Sequence, residues 1–145
     1  MGISNSAQEF LHAAEIVFEE NRSAKQPVFF LVCQSIELSF KAFLRGKGYS
    51  EQQLRCVGHD LAKAAADCKA NGLGQYYVLT PEDEVSIQLI NPYYQTRDLQ
   101  YLSTGFKRYP LPDALIKLAG TLCRSTRDIC IAMRSYHDGK NTEVS

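Results

Sequence analysis

The sequence has no excess of charge of either sign. Sixteen Lys and Arg balance sixteen Asp and Glu, for a formal net charge of zero, whereas a general nucleic-acid binder carries a basic surplus to neutralise phosphates. Neutrality is a sum over the whole surface, so a local basic patch stays open. The cysteine spacing of a metal or redox centre is also missing. The five cysteines are an odd number, scattered, with no Cys-x-x-Cys pair. Cys33, Cys123 and Cys130 fall on what would be apolar helix faces, where a thiol behaves as a small hydrophobe. Buried structural cysteines are therefore expected, and no metal site or cofactor. No N-terminal stretch has the basic, apolar and small-residue pattern of a secretory leader. The longest apolar run, from Val28, is interrupted by Gln34, Glu37 and Lys41 before it reaches membrane-spanning length. These absences predict a cytoplasmic chain with no membrane partner. There is no Ser-centred elbow, no cluster of carboxylates, no internal repeat and no low-complexity tract. Gly72-Leu73-Gly74 is not a phosphate loop, because no strand precedes it and no helix opens directly on it.

What is present is helical periodicity. A chain of 145 residues, 45% hydrophobic, is long enough to bury about two-thirds of its unfolded surface in one domain. Over about Ser4 to Asn21 and from Ile3 just before it, the residues Ile3, Ala7, Phe10, Leu11, Ala14, Val17 and Phe18 share one arc of a helical wheel, with His12 outside it and solvated. Pro27 suits the first turn of a long helix over about 27–46 that is apolar around most of its circumference. Ser35, Ser39 and Ala42 form a small-residue strip on it that admits a close neighbour, and Gly46 and Gly48 end it. A short polar piece, Glu51 to Arg55, follows. A third helix begins at Gly58-His59-Asp60-Leu61, with Asp60 the better cap, and stops at Gly72. Thr80-Pro81-Glu82-Asp83 starts a helix closed by Pro92. Tyr93 to Pro112 reads as irregular. The last helix spans about Asp113 to Tyr136, and the polar tail after about residue 138 reads as disordered.

Three groups of polar residues are candidates for function. Gln34, Glu37, Lys41 and Arg45 lie on one narrow stripe of the long helix. The expectation is a solvent-facing seam, the alternative a polar contact surface at a groove or partner. Arg55 with His59, and Arg134 with His137, each pair a group that can grip a phosphate with one that can move a proton near neutral pH. The plainer reading makes His59 a helix-start residue bonded to backbone, and the second pair a basic helix end complementing the dipole. Tyr93 to Tyr109 interleaves aromatics with Arg97, Lys107 and Arg108. That composition suits stacking and phosphate contacts, and equally suits a loop packed on a helical core.

The stretch Gln34-Ser-Ile-Glu37-Leu-Ser-Phe-Lys41-Ala-Phe-Leu-Arg45-Gly-Lys-Gly48, then Leu54-Arg55 and Gly58-His59-Asp60-Leu61, resembles the "AIELxxKAxLxxxG … GHDL" pattern of HEPN domains in order and spacing. These are compact helical domains of many prokaryotic defence and toxin–antitoxin proteins. The later Tyr93-Tyr94 and Arg108-Tyr109-Pro110 are similar to the family's aromatic stretch before the last helix, so the likeness covers about residues 7–137. The resemblance implies an all-α bundle of four to five helices around the long central one, commonly a homodimer. Binding of RNA, a nucleotide or a partner protein is the role expected of such a domain here, with Glu37, Lys41, Arg97, Lys107, Arg108 and Tyr109 as binding candidates. Glu37, Lys41, His59 and Asp60 are the positions the resemblance marks first, as fold-defining contacts. Some members are metal-independent ribonucleases using an Arg, four to six residues and a His near the last helix. Here nine residues separate Arg127 from His137, two separate Arg134 from His137, and three separate Arg55 from His59. A non-catalytic binding domain is the resulting expectation. The alternative is a ribonuclease with a divergent site drawn from Arg55, His59, Arg134 and His137.

Overall fold

The computed structural model describes residues 2–96 and 112–143, with side chains through Asp128. The chain is an all-α bundle, with six helices and no strand among the described residues. They are α1 (Gly2–Glu20), α2 (Lys25–Gly46), α3 (Glu51–Val57), α4 (Leu61–Ala70), α5 (Pro81–Gln95) and α6 (Pro112–Glu143).

The central element is α2. By length and apolar composition it could cross a membrane, and the bundle supplies another reason for that composition: twelve of its 22 residues are buried. Phe29, Ile36, Phe40, Phe43 and Leu44 are almost wholly enclosed, and each large side chain removed from water contributes about 1.5–3 kcal/mol. The small-residue strip works as its composition predicts. Ser35 donates to the carbonyl of Ala7 at 2.7 Å, so α1 lies close on that side. Ser35 and Ser39 both approach Cys123 Sγ, at 3.5 and 3.6 Å, so α6 lies close as well. Cys33, Cys68 and Cys123 are buried and Cys56 is exposed; burial pushes the Cys33 and Cys68 thiols well up from their ordinary value, followed by the nearby Glu37 and Asp67 charges respectively. The side chain of Cys130 lies outside the described residues.

Helix ends follow local chemistry. Gly48 at φ 101° closes α2 in a Schellman motif, with Tyr49 N–H donating to Leu44 and Gly48 N–H to Arg45. Gly46 is the last residue inside that helix. Ser50 and Gln53 form a reciprocal capping box that makes the short polar piece after α2 a helix, which extends to Val57. Asp60 accepts from Lys63 N–H and caps α4 as expected, and Thr80 with Asp83 caps α5.

Two ends differ from expectation. Pro92 does not close α5, which continues to Gln95. A proline removes one N–H and crowds only the preceding turn, so a final turn can still form after it, and here Thr96 ends it by donating to the Pro92 carbonyl at 2.8 Å. The α6 backbone continues to Glu143, past Tyr136 and into the stretch read as a tail; no proline follows His137 to break it.

Candidate functional site

The extension of α5 past Pro92 matters because it carries Tyr94. Ile87, Ile90, Asn91 and Tyr94 recur at helical spacing and all are buried. This face meets α2 and the turn between α3 and α4, where Gly58 takes φ 62° and ψ −137°, a conformation that favours glycine. His59 and Asp60 follow directly.

Glu37 is the centre of this junction. It lies on α2 and is only 3% exposed. Its carboxylate accepts from Lys41 Nζ at 2.6 Å, from His59 Nδ1 at 3.0 and 3.2 Å, and from the Tyr94 hydroxyl. Burial pushes the Glu37 carboxyl upward. The hydrogen bonds from Lys41, Tyr94 and His59, together with the Lys41 charge, outweigh it and hold the group below its ordinary value. The carboxylate is therefore ionised and can only accept. His59 must present a protonated Nδ1 to it, which leaves Nε2 as the lone-pair nitrogen of the neutral ring. The His59 side chain is 43% exposed, and its ring meets Tyr94 edge-on at 5.8 Å.

A second set of bonds fastens the same turn to α5. Asn91 Oδ1 accepts from the buried Leu61 N–H at 2.7 Å, and Asn91 Nδ2 donates to Asp60 Oδ1 at 3.0 Å. One amide thus satisfies a backbone donor at the start of α4 and braces the residue that caps it.

The expected solvent-facing seam on α2 is overturned. Glu37 is buried, Gln34 and Lys41 are partly buried, and only Arg45 is exposed, its guanidinium reaching the Tyr49 carbonyl at 3.4 Å. On a helix enclosed from several sides the polar stripe has to meet another element, and it meets the turn carrying His59. The plainer reading of His59 is corrected too: its partner is the Glu37 carboxylate rather than backbone.

Of the other candidates, Arg55 is exposed in the last turn of α3, and no bond joins it to His59. Arg134 and His137 lie on the α6 backbone, with side chains outside the described residues. Arg97, Lys107, Arg108 and Tyr109 also lie outside them. Asn91 and Tyr94 are the residues that sequence reasoning did not assign to this junction. Their spacing with Ile87 and Ile90 was the available signal. Among the described residues, no three His, Cys, Asp or Glu side chains gather as metal ligands would. A groove of about 550 Å³ opens between α4 and α5, lined by Ala62, Ala65, Leu79, Val85 and Leu89 and by the paired Lys69 and Glu84. None of the junction residues lines it.

Fold and junction together define a class: an all-α bundle whose central helix holds a buried carboxylate shared by Lys, His and Tyr. Comparison with known protein families, with characterised proteins and with solved structures finds no match to this chain.

Proposed function

We propose that this chain is a HEPN-type helical domain that binds RNA, a nucleotide or a partner protein without catalysis of its own, as a cytoplasmic homodimer in a toxin–antitoxin or defence setting. The observation that supports this reading is how the four marked residues are used. Glu37, Lys41 and His59 are joined to one another, and Asp60 is joined to Asn91 and the α4 backbone. The positions that carry the resemblance thus form one brace across α2, the α3–α4 turn and α5. That is the role the family likeness assigns them, and it leaves recognition to other surfaces, with Arg97, Lys107, Arg108 and Tyr109 as candidates.

A specific observation also favours a second reading. The Glu37 carboxylate orients the His59 ring with Nε2 as the lone-pair nitrogen, the state a general base needs. A metal-independent ribonuclease centred on His59 would use that state, with Arg55 as the nearest guanidinium in sequence.

The experiment is direct. Purified chain is mixed with single-stranded RNA in chelator, binding is followed by fluorescence anisotropy, and RNA integrity is followed on a gel. Binding without cleavage, weakened by Arg97→Ala with Arg108→Ala, supports an RNA-binding domain. Cleavage lost in His59→Ala replaces it with the second reading. Neither binding nor cleavage leaves nucleotide and protein partners, tested by nucleotide titration and by co-purification. Solution mass decides between monomer and dimer.

A further inference from the structure

We propose that His59 is a phosphoryl-acceptor residue, modified at Nε2 by an N-phosphoryl donor, a class that includes small phosphoramidates and the phosphohistidine of another protein. This goes beyond the binding reading and does not depend on it.

The geometry carries three requirements of such an acceptor. The first is a nucleophilic nitrogen of defined identity. Nδ1 is held on Glu37 at 3.0 and 3.2 Å, so in the neutral ring it carries the proton and Nε2 carries the lone pair. The second is access. The His59 side chain is 43% exposed although its carboxylate partner is only 5% exposed, so the ring spans from the brace to solvent. The third is stabilisation of the charge that forms. The Glu37 carboxylate touches the ring at the nitrogen where the product's positive charge is shared.

The charges around the turn favour an incoming phosphoryl group. Glu37 is turned inward to Lys41, His59 and Tyr94, and Asp60 is hydrogen-bonded to the Lys63 N–H and Asn91. Lys41 is spent on Glu37, so the cations that remain are exposed Arg55 on α3 and Lys63 on α4, whose Nζ reaches the Cys56 carbonyl at 3.4 Å across the turn.

The step balances without a further reactant. The Nε2 lone pair forms an N–P bond as the donor's P–N bond breaks. From zwitterionic phosphoramidate the already protonated nitrogen departs as ammonia with the bonding electron pair; from a phosphohistidine whose other ring nitrogen is protonated, neutral imidazole departs with that pair. The Nδ1 proton stays in place, and the phosphoimidazolium charge rests against Glu37.

The test uses the full chain and potassium phosphoramidate at neutral pH, read by intact mass, peptide mapping and nitrogen-15 NMR of the imidazoles. Exposed His12 on α1, with no ion-pair or hydrogen-bond partner among the described residues, is the internal reference. His59 is expected to label at Nε2 alone and about tenfold faster than His12, the rate effect of one hydrogen bond to a charged group. His12→Gln should leave His59 labelling unchanged, and Glu37→Gln should bring His59 down to the His12 rate and admit the Nδ1 isomer. Labelling of wild-type His59 at Nδ1, or no faster than at His12, overturns the proposal. That comparison within the wild-type protein decides the matter even if Glu37→Gln does not fold.

Discussion

Replacing Glu37 by glutamine keeps the side chain's shape and removes its charge, so it isolates what the carboxylate does. In the native protein three donors converge on it: the Lys41 ammonium, the His59 ring N–H and the Tyr94 hydroxyl. Glutamine offers one acceptor oxygen and puts an NH2 where the other acceptor was, so at least one donor faces a donor. Removing one partner of a fully buried ion pair costs about 3–5 kcal/mol, whereas exposed pairs are worth about 0–1 kcal/mol. The Glu37 side chain is 5% exposed and that of Lys41 is 15%. The pair therefore lies near the buried limit, with some water left to Lys41. We expect a loss of about 3 kcal/mol, which for a chain of this size lowers Tm by about 6–12 °C.

The assay is urea unfolding followed by far-UV circular dichroism, where a lower midpoint at unchanged slope reports stability rather than a change in compactness. Lys41→Met combined with Glu37→Leu supplies the control. Exchanging both members of a buried pair for apolar groups is often neutral or stabilising, so the double variant should recover the part of the loss that comes from stranding Lys41, while the Tyr94 hydroxyl and His59 N–H still lack their acceptor. A Glu37→Gln protein within about 0.5 kcal/mol of wild type would refute the reasoning, because only a solvated carboxylate is that dispensable.

The same junction yields four further expectations. Tyr94→Phe removes one donor from Glu37 and should cost about 1.5–3 kcal/mol, less when Glu37→Gln is already present, as a double-mutant cycle would measure. The Glu37 carboxyl is held below its ordinary value when folded, so acid protonates the unfolded chain first. The stability it contributes is complete at neutral pH and is lost as pH falls through the unfolded and then the folded value, so wild type and Glu37→Gln should converge in acid unfolding titrations. Asn91→Ala strands the buried Leu61 N–H and should lose about 1–3 kcal/mol of unfolding free energy in the urea assay. Gly58→Ala meets nothing closer than the Arg55 carbonyl at 3.7 Å, so its loss, about 1–3 kcal/mol in the same assay, should come from backbone strain at φ 62°.

The helices were legible where apolar spacing and caps agreed. The α2 core, the Asp60 and Thr80 caps and the Ser35–Ser39 strip all follow from local pattern. The 51–57 helix was hidden by its polarity: with only Leu54 and Val57 buried, its apolar period is too short to register. Its Ser50 and Gln53 capping box was nonetheless in plain view. Pro92 misled for a different reason. Proline opposes the turn before it rather than the turn after it, so it marked a weak point in α5 instead of its end.

The junction was legible only as parts. Glu37 and Lys41 stand four residues apart on one helix, so their pairing follows from spacing alone. Whether that pair faces water or core depends on what covers the stripe, and spacing is silent on it. The deciding contacts come from His59, 22 residues away, and Tyr94, 57 residues away. Enclosure of α2 supplies the missing constraint. Once an apolar helix is covered by neighbours, a charge on it must bring its own partners or lose its ionisation. Lys41 supplies one partner locally, and the remaining acceptor capacity of the carboxylate then calls for donors from whichever elements pack there. A Gly-His-Asp turn and a buried tyrosine at the end of a proline-containing helix supply them. The polar residues that first look like surface decoration on α2 are in this way a consequence of its burial.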